Sequence, residues 1–237
     1  MSKLSIMLFA ATILAAPAAE AGPNLVTNGN FESVTMPGGP SEISSTNVTG
    51  WRSTGYNFIF SPGHPGTYVA QYNSYLGLWG NNGTNFLSPG GGNFVGADGN
   101  YQVGAITQTI NGLIAGQIYK LSFDWAAAQQ SGFNGPTTEN WTASLGNQSF
   151  TTPTYHDPNH GWSGWMQQAY VFTATGSSEV LSFLAGGSPN GEPPFSLLDD
   201  VSLTAVPEPA GWAVLALAMV FMGVVRIRGR ETAANAE

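Results

Sequence analysis

The chain of 237 residues has no cysteine, and only 8% of its residues are charged. The absence of cysteine excludes a disulfide framework and cysteine-ligated metals, so stability must come from core burial and any bound ion. Lysine and arginine together number six, against 14 acidic residues. This scarcity of positive charge excludes a surface for nucleic acid, whose phosphates need basic partners. Between the two ends, no stretch has the periodicity of a long amphipathic helix.

The N-terminus has the three-part pattern of a secretory signal peptide. Lys3 precedes an apolar stretch from Leu4 to Ala16, and the small residues Ala19 and Ala21 follow it. This order is typical of an exported protein that is cleaved after the small residues. We therefore predict a signal peptide over 1–21 and a mature chain that begins at Gly22, outside the cytoplasm.

The C-terminus contains a second apolar segment. Residues 210–225 carry no charge, and this length of roughly 16 residues is just under the ~17 to 25 that usually span a bilayer. Arg226, Arg228 and Arg230 follow at once, and such a cluster favours the cytoplasmic face. The pattern predicts a transmembrane helix with the body of the protein outside and the tail inside.

Pro207, Glu208 and Pro209, the apolar run and the arginine cluster together resemble the PEP-CTERM sorting signal of exported bacterial proteins. The resemblance covers residues 206–230, about a tenth of the chain, and a short tail, 231–237, extends beyond it. It implies recognition and cleavage by a membrane-embedded exosortase in a bacterium that makes extracellular polysaccharide. The protein would be anchored transiently in the inner membrane and then reach the cell surface or the extracellular matrix.

The body, residues 22–205, has the pattern of an all-β domain. Short runs rich in β-branched and aromatic residues alternate with Gly, Pro or Asn clusters: "AITQTI", "IYKLSFDWA", "NWTASLG", "QAYVFTAT", "VLSFLAG" and "FSLLDDVSLT". In "YKLSFDWA", Tyr119, Leu121, Phe123 and Trp125 fall on one face of a strand, which should be buried, and Lys120, Ser122 and Asp124 fall on the other, which should be wet. These features favour one antiparallel jelly-roll β-sandwich, with loops drawn from the irregular section 52–99.

The first and last runs, "NLVTNGNFE" and "PPFSLLDDVSLT", resemble those of galactose-binding-like jelly rolls, which include many carbohydrate-binding modules. The resemblance implies that these two strands lie close together and that "ITQTINGLIAGQIYKLSFDWA" is a central hairpin. It also implies one structural calcium ion, held by Glu32 and Asp199. From the residues alone, Asp199 shares strand parity with Val201 and Leu203 and should point inward, whereas Asp200 should be exposed. Hydrogen bonding to backbone amides or a β-bulge at this pair are the alternatives to a metal.

Aromatic residues in turn-rich segments are candidates for sugar binding, because their ring faces stack on C–H groups. The segment "YHDPNHGWSGW" places Tyr155, Trp162 and Trp165 among turn residues, and these three are the preferred glycan-binding candidates. Other aromatic residues share the property less clearly: Trp51, Tyr56, Tyr72, Tyr75, Trp79 and Trp141. For any single tryptophan of a sandwich, the competing interpretation is a place in the core.

No catalytic motif stands out. His156 and His160 have the spacing of helical zinc ligands, but Pro158 between them opposes a helix. Glu139 and Asp157 are candidates for a hydrolytic carboxylate pair, although sequence alone fixes no pair. We predict a non-enzymatic exported protein that binds glycan or exopolysaccharide. The alternatives are a structural or adhesive matrix protein without a sugar pocket and, less favoured, a secreted glycan hydrolase.

Overall fold

The computed structural model describes residues 22–35, 43, 47–60, 66–69, 74–79 and 87–207. The predicted signal peptide, Glu208, Pro209, the predicted transmembrane helix and the arginine cluster lie outside this part of the chain. Within it, no helix is long and apolar enough to cross a membrane. Residues Gly22–Val206 form one compact unit.

Strands dominate this unit, in agreement with the predicted all-β class. In chain order they are β1 (Arg52–Ser53), β2 (Asn57–Phe60), β3 (Gly66–Val69), β4 (Ser74–Gly77), β5 (Phe94–Asp98), β6 (Ile106–Asn111), β7 (Ile118–Gln129), β8 (Thr137–Leu145), β9 (Gln148–Thr151), β10 (Tyr155–Asp157), β11 (Met166–Thr173), β12 (Ser178–Ser188) and β13 (Pro194–Ala205).

The strands form two antiparallel sheets and a separate hairpin. The first sheet has the order β1-β6-β12-β8-β10, and β9 pairs with the same edge of β8 as β10 does. The second has the order β11-β7-β13-β5-β2, and β3 pairs with β4 alone. The predicted antiparallel two-sheet architecture is confirmed.

The prediction of a central hairpin between β6 and β7 was wrong. β6 pairs with β1 and β12 in the first sheet, whereas β7 pairs with β11 and β13 in the second. The connecting segment "NGLIAGQ" therefore crosses from one sheet to the other. Turn residues of this kind can reverse a chain within one sheet, but in this sandwich they carry the chain from one sheet to the other.

The main core fills the space between the two sheets, and strand alternation produces it. On β7, Tyr119, Leu121, Phe123 and Trp125 all belong to this core, as the alternating pattern predicts. From the facing sheet, β8 contributes Trp141 and β12 contributes Phe183, with ring centroids 6.0 Å apart at 87°. The main core therefore contains aromatic edge-to-face contacts as well as aliphatic packing.

A second apolar cluster lies on the opposite face of the five-stranded sheet, and we call it the outer cluster. It combines sheet residues with residues from outside the sheet: Tyr56, Phe58, Phe60, Leu76, Leu78, Phe94, Ala126, Ala128, Phe195 and Leu197, with Trp162 and Trp165 packed against them. The second half of β7 is thus buried on both faces, although the sequence pattern predicted one wet face. Even Asp124, on the predicted wet face, is only 7% exposed.

The N-terminal segment runs beside the last strand, as the resemblance implied, but residues 24–32 form extended backbone and a turn and not the predicted first strand. The backbone N–H of Leu25 donates to the carbonyl of Leu203 at 2.9 Å, and the N–H of Val201 donates to the carbonyl of Gly29 at 2.9 Å. The Asn24 side chain accepts a further bond from the N–H of Leu203 at 2.9 Å. These contacts place Glu32 near the middle of β13, where Asp199 lies.

Candidate functional site

A concave pocket lies at the end of the five-stranded sheet, beside the outer cluster. Its volume is about 280 Å³, just below the ~300 to 1,000 Å³ of typical small-molecule sites. Three rings and four carboxylate or amide side chains line it, together with a glycine and a proline: Tyr56, Asp98, Asn100, Tyr101, Gln130, Phe133, Asn190, Gly191 and Pro193. Such a pocket has the size for one small ligand or for one end of a polymer.

Asp98 stabilises the backbone turn that forms one wall of this pocket. It is the last residue of β5, and its Oδ1 accepts the backbone N–H of Asn100 at 2.8 Å and that of Tyr101 at 3.0 Å. These two bonds close a turn of the kind that aspartate favours. The Asn100 side chain in turn donates to the carbonyl of Gly187 at 3.1 Å. The turn therefore holds Asn100 and Tyr101 at fixed positions in the pocket.

The aromatic wall combines a buried ring with an exposed ring. Tyr56 is 8% exposed and contacts Phe58 of the outer cluster at a centroid distance of 4.4 Å. Tyr101 is 49% exposed and meets Tyr56 edge to face at 5.3 Å and 85°. The outer ring is accessible, and the inner ring supports it. This is the arrangement that stacking on an apolar ligand face requires.

The second carboxylate oxygen of Asp98, Oδ2, is buried and has no hydrogen-bond partner. Burial raises the pKa of this carboxyl above 3.8, and the backbone N–H groups of Tyr101 and Asn100 counteract part of the rise. A buried acceptor without a donor costs about 1–3 kcal/mol. Because Oδ2 is enclosed by protein, the groups that could bond the hydroxyls of a ligand in the pocket are the amide side chains that line it, those of Asn100, Gln130 and Asn190.

The structure places the three preferred aromatic candidates in two different regions. Trp162 and Trp165 are half-buried against the outer cluster, 6.0 Å apart at 86°, and Trp165 contacts Phe94 edge to face at 5.6 Å. Tyr155 lies on β10 and packs against the main core. The tryptophans and Tyr155 thus share no surface, and neither tryptophan has the fully exposed ring that the turn-rich sequence predicted.

Sequence reasoning included Tyr56 among the weaker candidates and missed Asp98, Asn100 and Tyr101. A signal for them is present in "ADGNYQ", where an Asp-Gly-Asn turn directly precedes an aromatic residue at the end of a buried strand. Such a turn presents the next side chain to solvent. Asp98 lies at the end of the section 52–99, which the sequence predicts to be irregular, and this prediction hides the turn that follows the strand.

The predicted metal ligands, Glu32 and Asp199, lie close enough to interact electrostatically. Asp199 is fully buried, and its pKa rises to about 8, chiefly because of burial. The Ser88 hydroxyl and the backbone N–H of Asp200 lower this pKa, whereas the charges of Asp200 and Glu32 raise it. Three carboxylates therefore repel one another around one buried position.

A β-bulge decides where Asp199 points, and the parity argument was wrong in this respect. Asp199 pairs with Asp124, but the next pair is Ser202 with Ser122, so the register shifts between them. Because Asp200 adopts a positive φ of 50°, Asp199 faces the outer side of the sheet while Val201 faces the main core. Asp200 is half-buried, not exposed as predicted.

The segment from Ser88 to Asn93 covers these carboxylates. The Ser88 hydroxyl donates to Asp199 Oδ2, and the backbone N–H of Asn93 donates to Glu32 Oε1. Gly92 has a φ of +85°, and a Cβ on it would overlap the Glu32 carboxylate. The covering segment therefore requires glycine where it approaches the acidic group.

These residues fit a calcium ion. Asp199 Oδ1 is buried without a hydrogen-bond partner, and the group offers carboxylate, hydroxyl and backbone oxygens, which are the ligands that Ca²⁺ takes in a flexible shell. Among the described residues, no three His, Cys, Asp or Glu side chains are arranged to hold a metal by themselves. A cation here would thus need Ser88 or backbone carbonyls in addition to the two predicted carboxylates.

Glu139 and Asp157 do come together, but not in a cleft. Their side chains are 0% and 1% exposed. Burial raises the pKa of Glu139 to about 8, with a further increase from the Asp157 charge, and raises that of Asp157 to about 7. A glycan cannot reach carboxylates at this depth, so this pair does not form the open acid–base site of a glycoside hydrolase.

The two histidines do not converge. His156 is exposed on β10, and its backbone pairs with Thr138. His160 adopts a positive φ of 60°, bonds Asn134 Oδ1 through Nε2 at 2.8 Å and stacks on Trp79 at 4.1 Å. His156 and His160 therefore lie on a strand and in a turn, and they do not share one face of a helix.

No protein-family model matches the chain, and no curated protein matches it in sequence. Solved structures with similar folds include TmCBM61 in complex with β-1,4-galactotriose (15% identity, 78% of this chain and 99% of that chain, TM-score 0.45). The CBM22-1 xylan-binding domain from Paenibacillus barcinonensis Xyn10C is another (13%, 81% and 100%, TM-score 0.40). A family 16 carbohydrate-binding module is a third (16%, 76% and 99%, TM-score 0.37). All three TM-scores are below 0.5, so the function of this chain must be inferred from its own side chains.

Proposed function

We propose that the sandwich is a non-catalytic glycan-binding domain of the jelly-roll kind, which binds its ligand in the pocket beside the outer cluster. The observation that carries this proposal is a pocket whose lining combines the exposed Tyr101 ring with three amide side chains, those of Asn100, Gln130 and Asn190. Sugars present apolar C–H faces and hydroxyl groups together, and this combination matches the pocket. A pocket of about 280 Å³ suits one or two sugar units at the end of a chain.

The ligand class follows from the charge of the protein. Arg52 and Lys120 are the only fixed positive charges between residues 22 and 209, which also contain eleven carboxylates. Anionic polymers would be repelled by such a surface. We therefore expect a neutral or weakly charged polysaccharide, bound with a millimolar to micromolar Kd, or about −4 to −8 kcal/mol.

Replacement of Tyr101 by alanine is expected to weaken glycan binding at least tenfold, which is about 1.4 kcal/mol. The exposed ring supplies the stacking face, whereas its removal opens no core cavity. Affinity electrophoresis against a panel of neutral polysaccharides measures the binding, and thermal unfolding checks that the variant is folded.

Phe150→Ala is the matched control, because this ring is 41% exposed on another surface, where it stacks on Tyr170. It should bind glycan as the wild type does. Trp165→Ala forms a further arm, which tests the tryptophan pair predicted from the sequence. Loss of binding in Trp165→Ala but not in Tyr101→Ala would move the site to the tryptophans. No retardation on any polysaccharide would favour the structural or adhesive matrix protein.

We also propose that Glu32 and Asp199 hold one structural calcium ion under the segment from Ser88 to Asn93. The ion would neutralise the repulsion between the buried carboxylates, which includes the charge of Asp200. It would tie the N-terminal segment to the last strand. The support is the burial of Asp199 Oδ1 without a hydrogen-bond partner, which the Ser88 and Asp200 donors to this carboxylate offset only in part.

Export and sorting complete the proposal, and they rest on the sequence motifs at the two ends. The signal peptide pattern would deliver the domain across the inner membrane. The resemblance to a PEP-CTERM signal would then direct an exosortase to the segment around Glu208. A glycan-binding domain would in this way reach the polysaccharide at the cell surface.

Replacement of Glu208 by alanine, or of Arg226, Arg228 and Arg230 together, is expected to leave unprocessed protein at the inner membrane. The domain itself should fold normally, since these residues lie outside Gly22–Val206. Cell fractionation with intact-mass analysis gives the location and the cleavage state. Glu192→Ala serves as a control acidic substitution, and normal release of the Glu208 variant would refute the sorting proposal.

A further inference from the structure

A second group of oxygen atoms lies inside the sandwich, away from Glu32 and Asp199. It is formed where β8 begins and β10 ends. Thr137 pairs with Asp157 and Glu139 pairs with Tyr155, so Asp157 is the direct neighbour of Thr137 and the diagonal neighbour of Glu139. Diagonal partners are within reach of long side chains. Since the burial of β8 alternates strictly, Thr137 and Glu139 point to the interior.

All the side-chain oxygens of this group are buried and have no hydrogen-bond partner outside the group. They are both carboxylate oxygens of Glu139, both carboxylate oxygens of Asp157 and the hydroxyl of Thr137. None of the three residues is more than 2% exposed. Within the group, the Thr137 hydroxyl acts as a donor to Glu139, which leaves the Asp157 oxygens without one. A buried acceptor without a donor costs about 1–3 kcal/mol, so a ligand at this position would stabilise the fold.

The turn after β10 adds a backbone oxygen to this group. A Cβ on Gly161 would overlap Asp157 Oδ1 and would lie 2.6 Å from the carbonyl oxygen of Pro158. Gly161 is itself buried and donates its N–H to that carbonyl at 2.7 Å. The Asp157 carboxylate is thus packed against a glycine, next to a carbonyl with one lone pair left over.

Among the described residues, no positively charged side chain balances the charge of Glu139 and Asp157. Burial is the largest cause of the raised pKa of both carboxyls; the Thr137 hydroxyl partly offsets it for Glu139, and the Asp157 charge adds to it. Within the part of the chain that the structure describes, no positively charged side chain contributes to the pKa of either carboxyl. Two carboxylates buried together require a cation or a proton, and the surrounding unpartnered atoms are oxygens with no nitrogen donor among them.

We propose that Glu139, Asp157 and Thr137 bind a divalent cation of the calcium type in the interior of the sandwich. Two carboxylates balance its charge, and the hydroxyl and a backbone carbonyl complete an all-oxygen ligand set. Ca²⁺ accepts such irregular sets of carboxylate and carbonyl oxygens, whereas Mg²⁺ prefers an octahedral shell that keeps several waters. The ion would stabilise the contact of β10 with β8 at the edge of the first sheet. Its binding would not depend on the site at Asp199.

The test is the number of calcium ions bound by the full chain, measured by equilibrium dialysis and metal analysis. With both sites intact, two ions per chain are expected. Asp199→Asn should retain one ion, and the double variant Asp199→Asn/Glu139→Gln should retain none. Glu179→Gln is the matched control, because that buried carboxylate accepts the N–H groups of Thr175 and Gly176 within its own turn, and it should not change the count.

The measured counts distinguish this internal site from the calcium site proposed at Glu32 and Asp199. If Asp199→Asn binds no calcium, the internal site does not exist, whatever the wild type binds. If the wild type binds one ion that Glu139→Gln removes and Asp199→Asn does not, the internal site stands alone. The decisive count on Asp199→Asn leaves the internal residues unaltered, so it does not depend on the folding of Glu139→Gln. Thr137→Val, which keeps the side-chain shape, should weaken the remaining affinity without abolishing it.

Discussion

Removal of calcium with a chelator is expected to lower the melting temperature of the protein by about 5 to 10 °C. An ion that binds only the folded state stabilises it by RT ln(1 + [L]/Kd), which is about 2.7 kcal/mol at a 100-fold excess over Kd. In a domain of this size, each kcal/mol shifts the melting temperature by about 2–4 °C. Differential scanning calorimetry with calcium or with chelator gives this difference directly.

Asp199→Asn should remove the part of this sensitivity that arises at Glu32 and Asp199. The substitution keeps the shape of a fully buried side chain and deletes its charge. In chelator the variant should be at least as stable as the wild type, because no carboxylate has to be desolvated at that position. Glu179→Gln is again the control and should keep the full response to calcium. Identical melting curves with and without chelator would instead support the hydrogen-bonded alternative, in which Ser88 and the backbone N–H of Asp200 compensate Asp199.

As the pH rises, the melting temperature should fall in chelator but not in calcium. Without metal, burial raises the pKa of Asp199 to about 8, far above the ordinary value of 3.8, and Glu139 and Asp157 shift in the same direction, to about 8 and about 7. A raised folded-state pKa means that the folded protein holds protons which the unfolded chain has lost. The stability from these groups is therefore fully present below about pH 4 and is lost as the pH rises through about 7 to 8.

Calcium should cancel this loss, since the ion binds the ionised carboxylates and displaces their protons. In chelator the melting temperature should thus fall from pH 5 to pH 8. In excess calcium it should stay level or rise, because protons no longer compete with the ion at higher pH. A parallel fall in both conditions would show that no cation reaches these carboxylates.

Sequence reasoning found β6, β7, β8, β11, β12 and β13, in which buried and less buried positions alternate over much of the strand. Two of the strands that it missed, β2 and β5, are buried on both faces throughout. "NFIF" and "FVGAD" have no alternation, because one face lies on the main core and the other on the outer cluster. Local pattern cannot show that a sheet is covered twice.

The site residues show the same difference between what a local pattern predicts and what depends on the whole fold. The closeness of Glu32 and Asp199 came from a resemblance between short motifs at the two ends of the body, and the structure places both at one position. The β-bulge at Asp199 and Asp200, which was named from the sequence as one alternative, is present and reverses the strand parity that pointed Asp199 inward. The closeness of Glu139 to Asp157, its diagonal neighbour on β10, depends on strand register, which is a property of the whole sheet.

The tryptophans offer the sharpest contrast between a core residue and a surface candidate. Trp141 is fully buried between the sheets, where its ring meets Phe183 edge to face and its Nε1 donates to the carbonyl of Leu197 at 2.9 Å. That bond joins β8 in the first sheet to β13 in the second. Trp162 and Trp165, by comparison, are half-buried at the margin of the outer cluster.

Trp141→Ala is therefore expected to lower the free energy of unfolding by about 3 to 5 kcal/mol, whereas Trp165→Ala should cost clearly less. The larger loss has two sources: the cavity left by a fully buried ring and the carbonyl of Leu197, which loses its donor inside the core. Trp141→Phe separates them, since it restores most of the apolar contact but not the hydrogen bond. Urea unfolding followed by circular dichroism measures all three variants. If Trp165→Ala destabilised the protein as much as Trp141→Ala does, the outer cluster would be a second core, and the tryptophan pair would have no role in binding separate from folding.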